Sequence, residues 1–147
     1  MMVTARELKD RVFAALNDHD LEATMRCFAR DAVYVGPVGS AEGHEQIAWY
    51  FQHLLQAFPD LQLTPWCKVP VCDPAVSAVC EYVMTGTHLG PLLLPGGSAL
   101  EATSQRIAVR GAGLCIIENG LIISDRDYYD QLELFSQLGL CLPEAVA

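Results

Sequence analysis

Positive charge is scarce in this 147-residue sequence: nine lysines and arginines stand against eighteen aspartates and glutamates, giving a net charge of -9. There is no basic run and no Lys/Arg-rich stripe. Nucleic acid is therefore excluded as an expected partner, because phosphate neutralisation needs clustered cations, and an anionic membrane surface is excluded for the same reason. No apolar run approaches the ~20 residues that span a bilayer. Residues 1–10 are polar and helical in pattern, without the apolar stretch of a signal peptide. No C-x-x-C pair occurs, and no histidine lies at finger spacing from a cysteine, so no metal is expected. Walker, G-x-S-x-G and H-E-x-x-H patterns are absent as well, and Gly96-Gly97 lacks the helix that a phosphate loop needs.

Apolar residues are plentiful. They make up 52% of the chain, and the mean hydropathy is +0.24. Such values imply a large interior, or a face covered by a partner subunit. The length suits one domain spanning 1–147. The six cysteines, Cys27, Cys67, Cys72, Cys80, Cys115 and Cys141, would allow a disulfide framework by their even number. Their apolar settings instead predict reduced core thiols in a soluble cytoplasmic protein.

Thr4 is placed to cap a first helix carrying Leu8, Val12, Ala15 and Leu16 on one face. A short second helix presents Leu21, Met25 and Phe28, and a brief strand covers 31–35. The clearest helix follows the 39–43 loop; its stripe is Ile47, Tyr50, Phe51, Leu54 and Phe58, and Pro59 stops it. Leu61, Leu63, Val69 and Val71 mark a strand whose prolines suggest an edge or a bend. Residues 75–88 read as a long strand with Ala78, Cys80, Tyr82 and Met84 on one face; 90–99 read as a loop, and 103–117 as another strand. Asn119-Gly120 specifies a type I′ hairpin, which would pair Ile117 with Ile122 and Ile116 with Ile123. That leaves apolar pairs on both faces, and a second copy of the chain is the simplest cover for the outer one. A last helix runs from Asp130 to Leu138, with Gly139 as its stop. Helices first, then antiparallel strands, predict an α+β domain with helices on one face of a curved sheet.

Two stretches resemble the SnoaL-like polyketide cyclases within the nuclear-transport-factor-2-like superfamily. One runs from Gly43-His44-Glu45-Gln46-Ile47 to Ala57-Phe58-Pro59-Asp60-Leu61. The other runs from Gly86-Thr87-His88-Leu89-Gly90 through Val109-Arg110-Gly111-Ala112 and Asn119-Gly120-Leu121-Ile122. It continues to Tyr128-Tyr129-Asp130-Gln131-Leu132 and ends at Gln137-Leu138-Gly139. The resemblance implies a cone-shaped (cystatin-like) α+β fold, with a mostly antiparallel sheet wrapped on N-terminal helices around a hydrophobic pocket. It also implies a homodimer, and aldol ring closure or isomerisation of a hydrophobic carbonyl compound by an acid/base aspartate without metal or cofactor. A non-catalytic ligand-binding or protein-interaction domain of the same fold is the alternative.

Such chemistry needs a carboxylate in an apolar pocket, whose desolvation strengthens it as a base. Asp130, where the family often has Asp, is the first candidate; as an N-cap it would merely hold backbone N–H groups. Asp127 is the second. Strand alternation puts either Asp127 or the pair Arg126 and Tyr128 on the pocket face, unless a bulge intervenes. Arg126 also stands where many ester-cyclase-type members have Trp. His88 is a candidate proton shuttle or carbonyl-polarising group, or a loop clamp. Arg110 and Arg126 are candidates to steady an anion or to pair with Glu81, Asp127 or Asp130. Tyr34, Tyr50, Trp66, Tyr82 and Tyr128 are candidates to line a pocket for a planar substrate, or plain core.

Overall fold

In the computed structural model, which describes residues 2–141, the first helix α1 (Ala5–Asn17) starts in a reciprocal capping box. The Glu7 backbone N–H donates to Thr4 Oγ1 (3.2 Å), and the Thr4 N–H donates to Glu7 Oε2 (2.9 Å), satisfying two donors that a helix start would otherwise leave free. A short α2 (Leu21–Met25) is capped by Asp20. Phe28 does not lie on that helix but opens strand β1 (Phe28–Gly36), three residues ahead of the expected start. A turn leads into β2 (Gly39–Glu42) and the long helix α3 (Gly43–Ala57).

The remaining elements are β3 (Gln62–Val69), β4 (Ser77–Thr87), β7 (Arg106–Glu118), β8 (Leu121–Tyr129) and α4 (Gln131–Gln137). Between β4 and β7 the expected loop folds into a small hairpin of β5 (Leu92–Leu93) and β6 (Ala99–Leu100). The large sheet runs β2-β1-β8-β7-β4-β3. Every pairing in it is antiparallel except β1 with β8. β3, which contains Pro65 and ends just before Pro70, does lie at an edge, where a missing N–H costs least. β4 alternates as its pattern predicts: Ala78, Cys80, Tyr82 and Met84 are buried on the face covered by α1 and α3. Leu8, Val12 and Leu16 of α1 and Ile47 and Phe51 of α3 complete that core. All six cysteines are free thiols, and Cys27, Cys80 and Cys115 are buried. Among the described residues no helix is long and apolar enough to cross a membrane.

Asn119 (φ 52°) and Gly120 (φ 77°) form the tight hairpin between β7 and β8, both in the left-handed region that a type I′ turn demands. Ile117 pairs with Ile122 as expected, but Ile116 pairs with Ser124 rather than Ile123. Ile123 is the extra residue of a β-bulge. One unpaired residue reverses the alternation of everything after it. Ile122 points inward before the bulge; Asp125, Asp127 and Tyr129 do so after it, while Arg126 and Tyr128 are turned out.

Candidate active site

The bulge delivers two carboxylates to the inner face of the sheet. Asp127 keeps 13% of its side chain exposed, and both of its oxygens are held. Tyr34 donates its hydroxyl to Oδ2 at 2.8 Å, and Tyr82 donates to Oδ1 at 3.2 Å. These tyrosines come from β1 and β4, so strands on either side of the β7–β8 hairpin clamp one carboxylate. Asp125 is 1% exposed and accepts from Lys9 Nζ at 2.7 Å; the same ammonium stands 3.9 Å from Asp127 Oδ1. Asp125 Oδ2 has no hydrogen-bond partner among the described residues.

Two glycines make this arrangement sterically feasible. Gly111 and Gly113 are neighbours on the same face of β7, lying opposite Tyr82 and Asp127 respectively. A methyl group on Gly111 would sit 2.6 Å from the Tyr82 ring. One on Gly113 would overlap Asp127 Oδ1 and come within 3.0 Å of Lys9 Nζ. The missing Cβ atoms create the recess that the polar cluster fills.

Burial governs the proton affinities. It pushes the Tyr34 and Tyr82 hydroxyls well above their ordinary value, with the nearby Asp127 charge adding to it. It also raises Tyr129, and Tyr50 to about 12. These phenols are neutral donors at any physiological pH. For Lys9, burial alone would favour loss of the proton, but Asp125 and Asp127 outweigh it and hold the ammonium above its usual range. Asp125 is pushed up to about 6, because burial outweighs the pull of Lys9 and the Asp127 charge adds repulsion.

The cluster lies at the bottom of a narrow interior cavity of about 20 Å³, walled by Val12, Phe13, Phe51, Leu54 and Met84 as well as the polar groups. That is room for about one water molecule. Outside it a larger groove of about 540 Å³ opens between α3, the β1–β2 hairpin and β5, lined by Val38, Glu45, Trp49 and Leu93 among others. Tyr34 and Tyr50 line both spaces and form the partition between them.

Of the residues singled out from sequence, Tyr34, Tyr50, Tyr82 and Asp127 are brought together here. The others are not. Asp130 is exposed and caps α4, accepting the Leu132 N–H at 2.8 Å. Arg110 and Arg126 are exposed on the outer face, and Arg110 pairs with Glu133 (3.3 Å) rather than with Glu81, Asp127 or Asp130. Trp66 and Tyr128 share that face, 60% and 54% exposed. Trp66 stands at a break in the β3–β4 register. His88 is fully buried but is not among the residues walling the cavity. Its Nδ1 accepts the Thr103 backbone N–H at 3.1 Å, and its ring packs on Phe58. It is a clamp at the base of the β5–β6 hairpin. Lys9, Asp125 and Tyr129 escape the sequence reading. Lys9 had a signal, since it sits inside the apolar stripe of α1, four residues before Phe13. Asp125 and Tyr129 had only the doubled isoleucines 122–123, which permit a bulge without requiring one. Among the described residues no group of three or more His, Cys, Asp or Glu side chains could hold a metal ion.

The family model described as "SnoaL-like domain" matches residues 10–124. No curated protein matches the chain significantly. Solved structures do. A Silicibacter sp. TM1040 protein, provisionally named a polyketide cyclase, is 23% identical, with 92% of this chain and 96% of that one covered and a TM-score of 0.79. AclR of Streptomyces galilaeus, provisionally named a hydroxylase, is 21% identical (92% and 95% covered, TM-score 0.75). A Catenulispora acidiphila protein with a ketosteroid isomerase-like fold, in complex with trimethylamine, is 24% identical (94% and 96% covered, TM-score 0.74).

Proposed function

From the premise that this chain belongs to the SnoaL-like domain family, we propose that it is an acid/base enzyme acting on a hydrophobic carbonyl compound, with Asp127 as the base. The observation that carries this reading is the inward-facing, largely covered Asp127 carboxylate, held by two neutral phenols at an apolar cavity. In its carboxylate form such a group removes a proton from carbon next to a carbonyl. As the proton arrives, the carboxyl group needs fewer donors. Tyr34 or Tyr82 is then released to donate to the oxygen on which the enolate charge develops. In a cyclase that enolate carbon would attack a second carbonyl of the same molecule, and the alkoxide formed would take back the proton held by Asp127; in an isomerase the enolate would be reprotonated by Asp127 at another carbon. The name of the Silicibacter neighbour motivates the first version. Lys9 and Asp125 stand behind Asp127 and fix its position. Because the cavity has room for about one water molecule, this reading requires the Tyr34–Tyr50 partition to open for a substrate to reach Asp127.

The narrowness of the cavity favours one other reading, a binding module that uses the outer groove alone. Exchange of the α-protons of 1-tetralone for deuterium in D2O, followed by NMR, separates the two. The enzyme reading expects catalysed exchange that Asp127→Asn abolishes and Asp130→Asn leaves intact. Exchange that is unchanged in Asp127→Asn would overturn the assignment of the base. The exposed apolar side chains of Trp66, Ile116, Leu121 and Tyr128 on the outer sheet face support a second copy of the chain over it, which sedimentation would detect as a dimer.

A further inference from the structure

The groove outside the partition has a consistent electrostatic sign. Its lining carries one formal charge, Glu45, which is exposed and engages in no ion pair among the described residues. Behind Tyr34 and Tyr50, the interior cluster of Lys9, Asp125 and Asp127 sums to one negative charge when all three are ionised. Among the described residues no lysine or arginine lines the groove. Ser40 and Gln46 are the neutral polar side chains of the wall, and its other side chains are aromatic and aliphatic. Trp49 lies one helical turn from Glu45 on α3, so both project to the same side, and the Tyr34 and Tyr50 rings lie 4.8 Å apart along the floor, tilted by 38° to each other. Val38 and Leu93 close the sides. An anion would be repelled from such a space, and a small, strongly hydrated ammonium would lose water against apolar walls. A cation whose charge is spread over alkyl groups loses little hydration and gains from the electron-rich faces of tryptophan and tyrosine.

We propose that this groove is a binding site for an alkylated organic ammonium ion, held by Trp49, Tyr34 and Tyr50 with Glu45 as its counter-ion. The site does not depend on Asp127 performing chemistry, and its test needs no turnover. The sequence contains two tryptophans, so a Trp66→Phe protein reports from Trp49 alone. Choline and its uncharged carbon isostere 3,3-dimethylbutan-1-ol are titrated against it, following the Trp49 indole resonance and its fluorescence. The expected result is saturable binding of choline, at least tenfold tighter than the isostere. Glu45→Gln should weaken choline several-fold and leave the isostere unchanged, and Trp49→Leu, followed by the backbone amide resonances of Ser40 and Glu45 instead of the indole, should abolish the preference; the amide spectra also confirm that both variants are folded. Equal or tighter binding of the neutral isostere would overturn the proposal, since it would make the groove merely apolar. No response of Trp49 to choline at up to tens of millimolar would overturn it too, as would a choline affinity unaltered in Glu45→Gln.

Discussion

Gly113 and Asp127 face each other across β7 and β8, and no side chain larger than a hydrogen atom fits at position 113 while the carboxylate stays where it is. Both obstacles, Asp127 Oδ1 and the Lys9 ammonium, belong to the buried polar cluster, so relief requires moving one of the charges. Gly113→Ala is expected to cost about 1–3 kcal/mol, the range for overfilling a packed site, and to abolish α-proton exchange. Urea unfolding gives the first quantity and the tetralone assay the second. A variant with native stability and full exchange would show that the recess is not needed.

Lys9 and Asp125 form a buried pair, and the two ways of disturbing it have different costs. Lys9→Met leaves two carboxylates, one of them fully buried, without their cation. Removing one partner of such a pair costs about 3–5 kcal/mol. Removing both charges, in Lys9→Met with Asp125→Leu, takes away the burial penalty that raises Asp125 and restores much of the loss. The double-mutant cycle, measured by urea unfolding, should therefore be strongly non-additive, by at least 1 kcal/mol. Additive single effects would mean that the 2.7 Å contact contributes nothing to the fold.

The sequence made the frame legible because the frame rests on local rules. Thr4 and Glu7 make a capping box, Pro59 stops α3, and Asn119-Gly120 allows one turn type. The alternation of β4 also survives intact. Asp127 was legible as a candidate residue, but its orientation was not: alternation counted from the hairpin would have sent Arg126 and Tyr128 inward. The bulge at Ile123 reverses that count, and its cause lies in the pairing of β8 with both β1 and β7, which no local window contains. Asp130 is the converse case. A helix-capping aspartate and one that faces the interior look alike in sequence, and the structure separates them by leaving Asp130 exposed as the N-cap of α4. Lys9 was hidden by its charge, since a lysine within an apolar stripe reads as a surface residue until its carboxylate partners are located.

His88 predicts an acid-sensitive hairpin. Its Nδ1 accepts the Thr103 N–H, so the neutral ring carries its proton on Nε2. A second proton, on Nδ1, would set N–H against the Thr103 N–H and leave only Thr103 Oγ1, at 2.9 Å, to accept it. Burial lowers its pKa below the ordinary 6.5. The unfolded chain therefore binds this proton more readily than the folded one. The stability contributed by neutral His88 is present above pH 6.5 and declines as pH falls below it. Residues 89–102, which include β5 and β6 over the groove, should open first, seen as faster amide exchange below pH 6. His88→Asn offers an acceptor oxygen in place of Nδ1 and cannot titrate, so it should keep the hairpin closed and remove the pH dependence. Equal acid sensitivity in His88→Asn would assign the effect to another group.

The buried phenols set the alkaline limit. Tyr34, Tyr50, Tyr82 and Tyr129 all hold their protons above the ordinary value of 10.0 because burial opposes the phenolate. In the unfolded chain they ionise near that value. Above pH 10 the unfolded state has therefore released protons that the folded state keeps, and stability falls as pH rises. With all four contributing, the limiting slope is about 5 kcal/mol per pH unit. That is steep enough to exhaust the ~5–15 kcal/mol of an ordinary domain within a few units. Lys9, held above its usual range, adds to the same trend. The four phenolates should then form together with loss of structure, so that the rise in absorbance at 295 nm from these residues coincides with the loss of far-ultraviolet circular dichroism. Tyr129→Phe should reduce the slope by about a quarter, one group's share. Phenolates that form stepwise while the dichroism stays native would mean that the cluster admits water, and that Asp127 lies in a wetter site than its clamp of tyrosines implies.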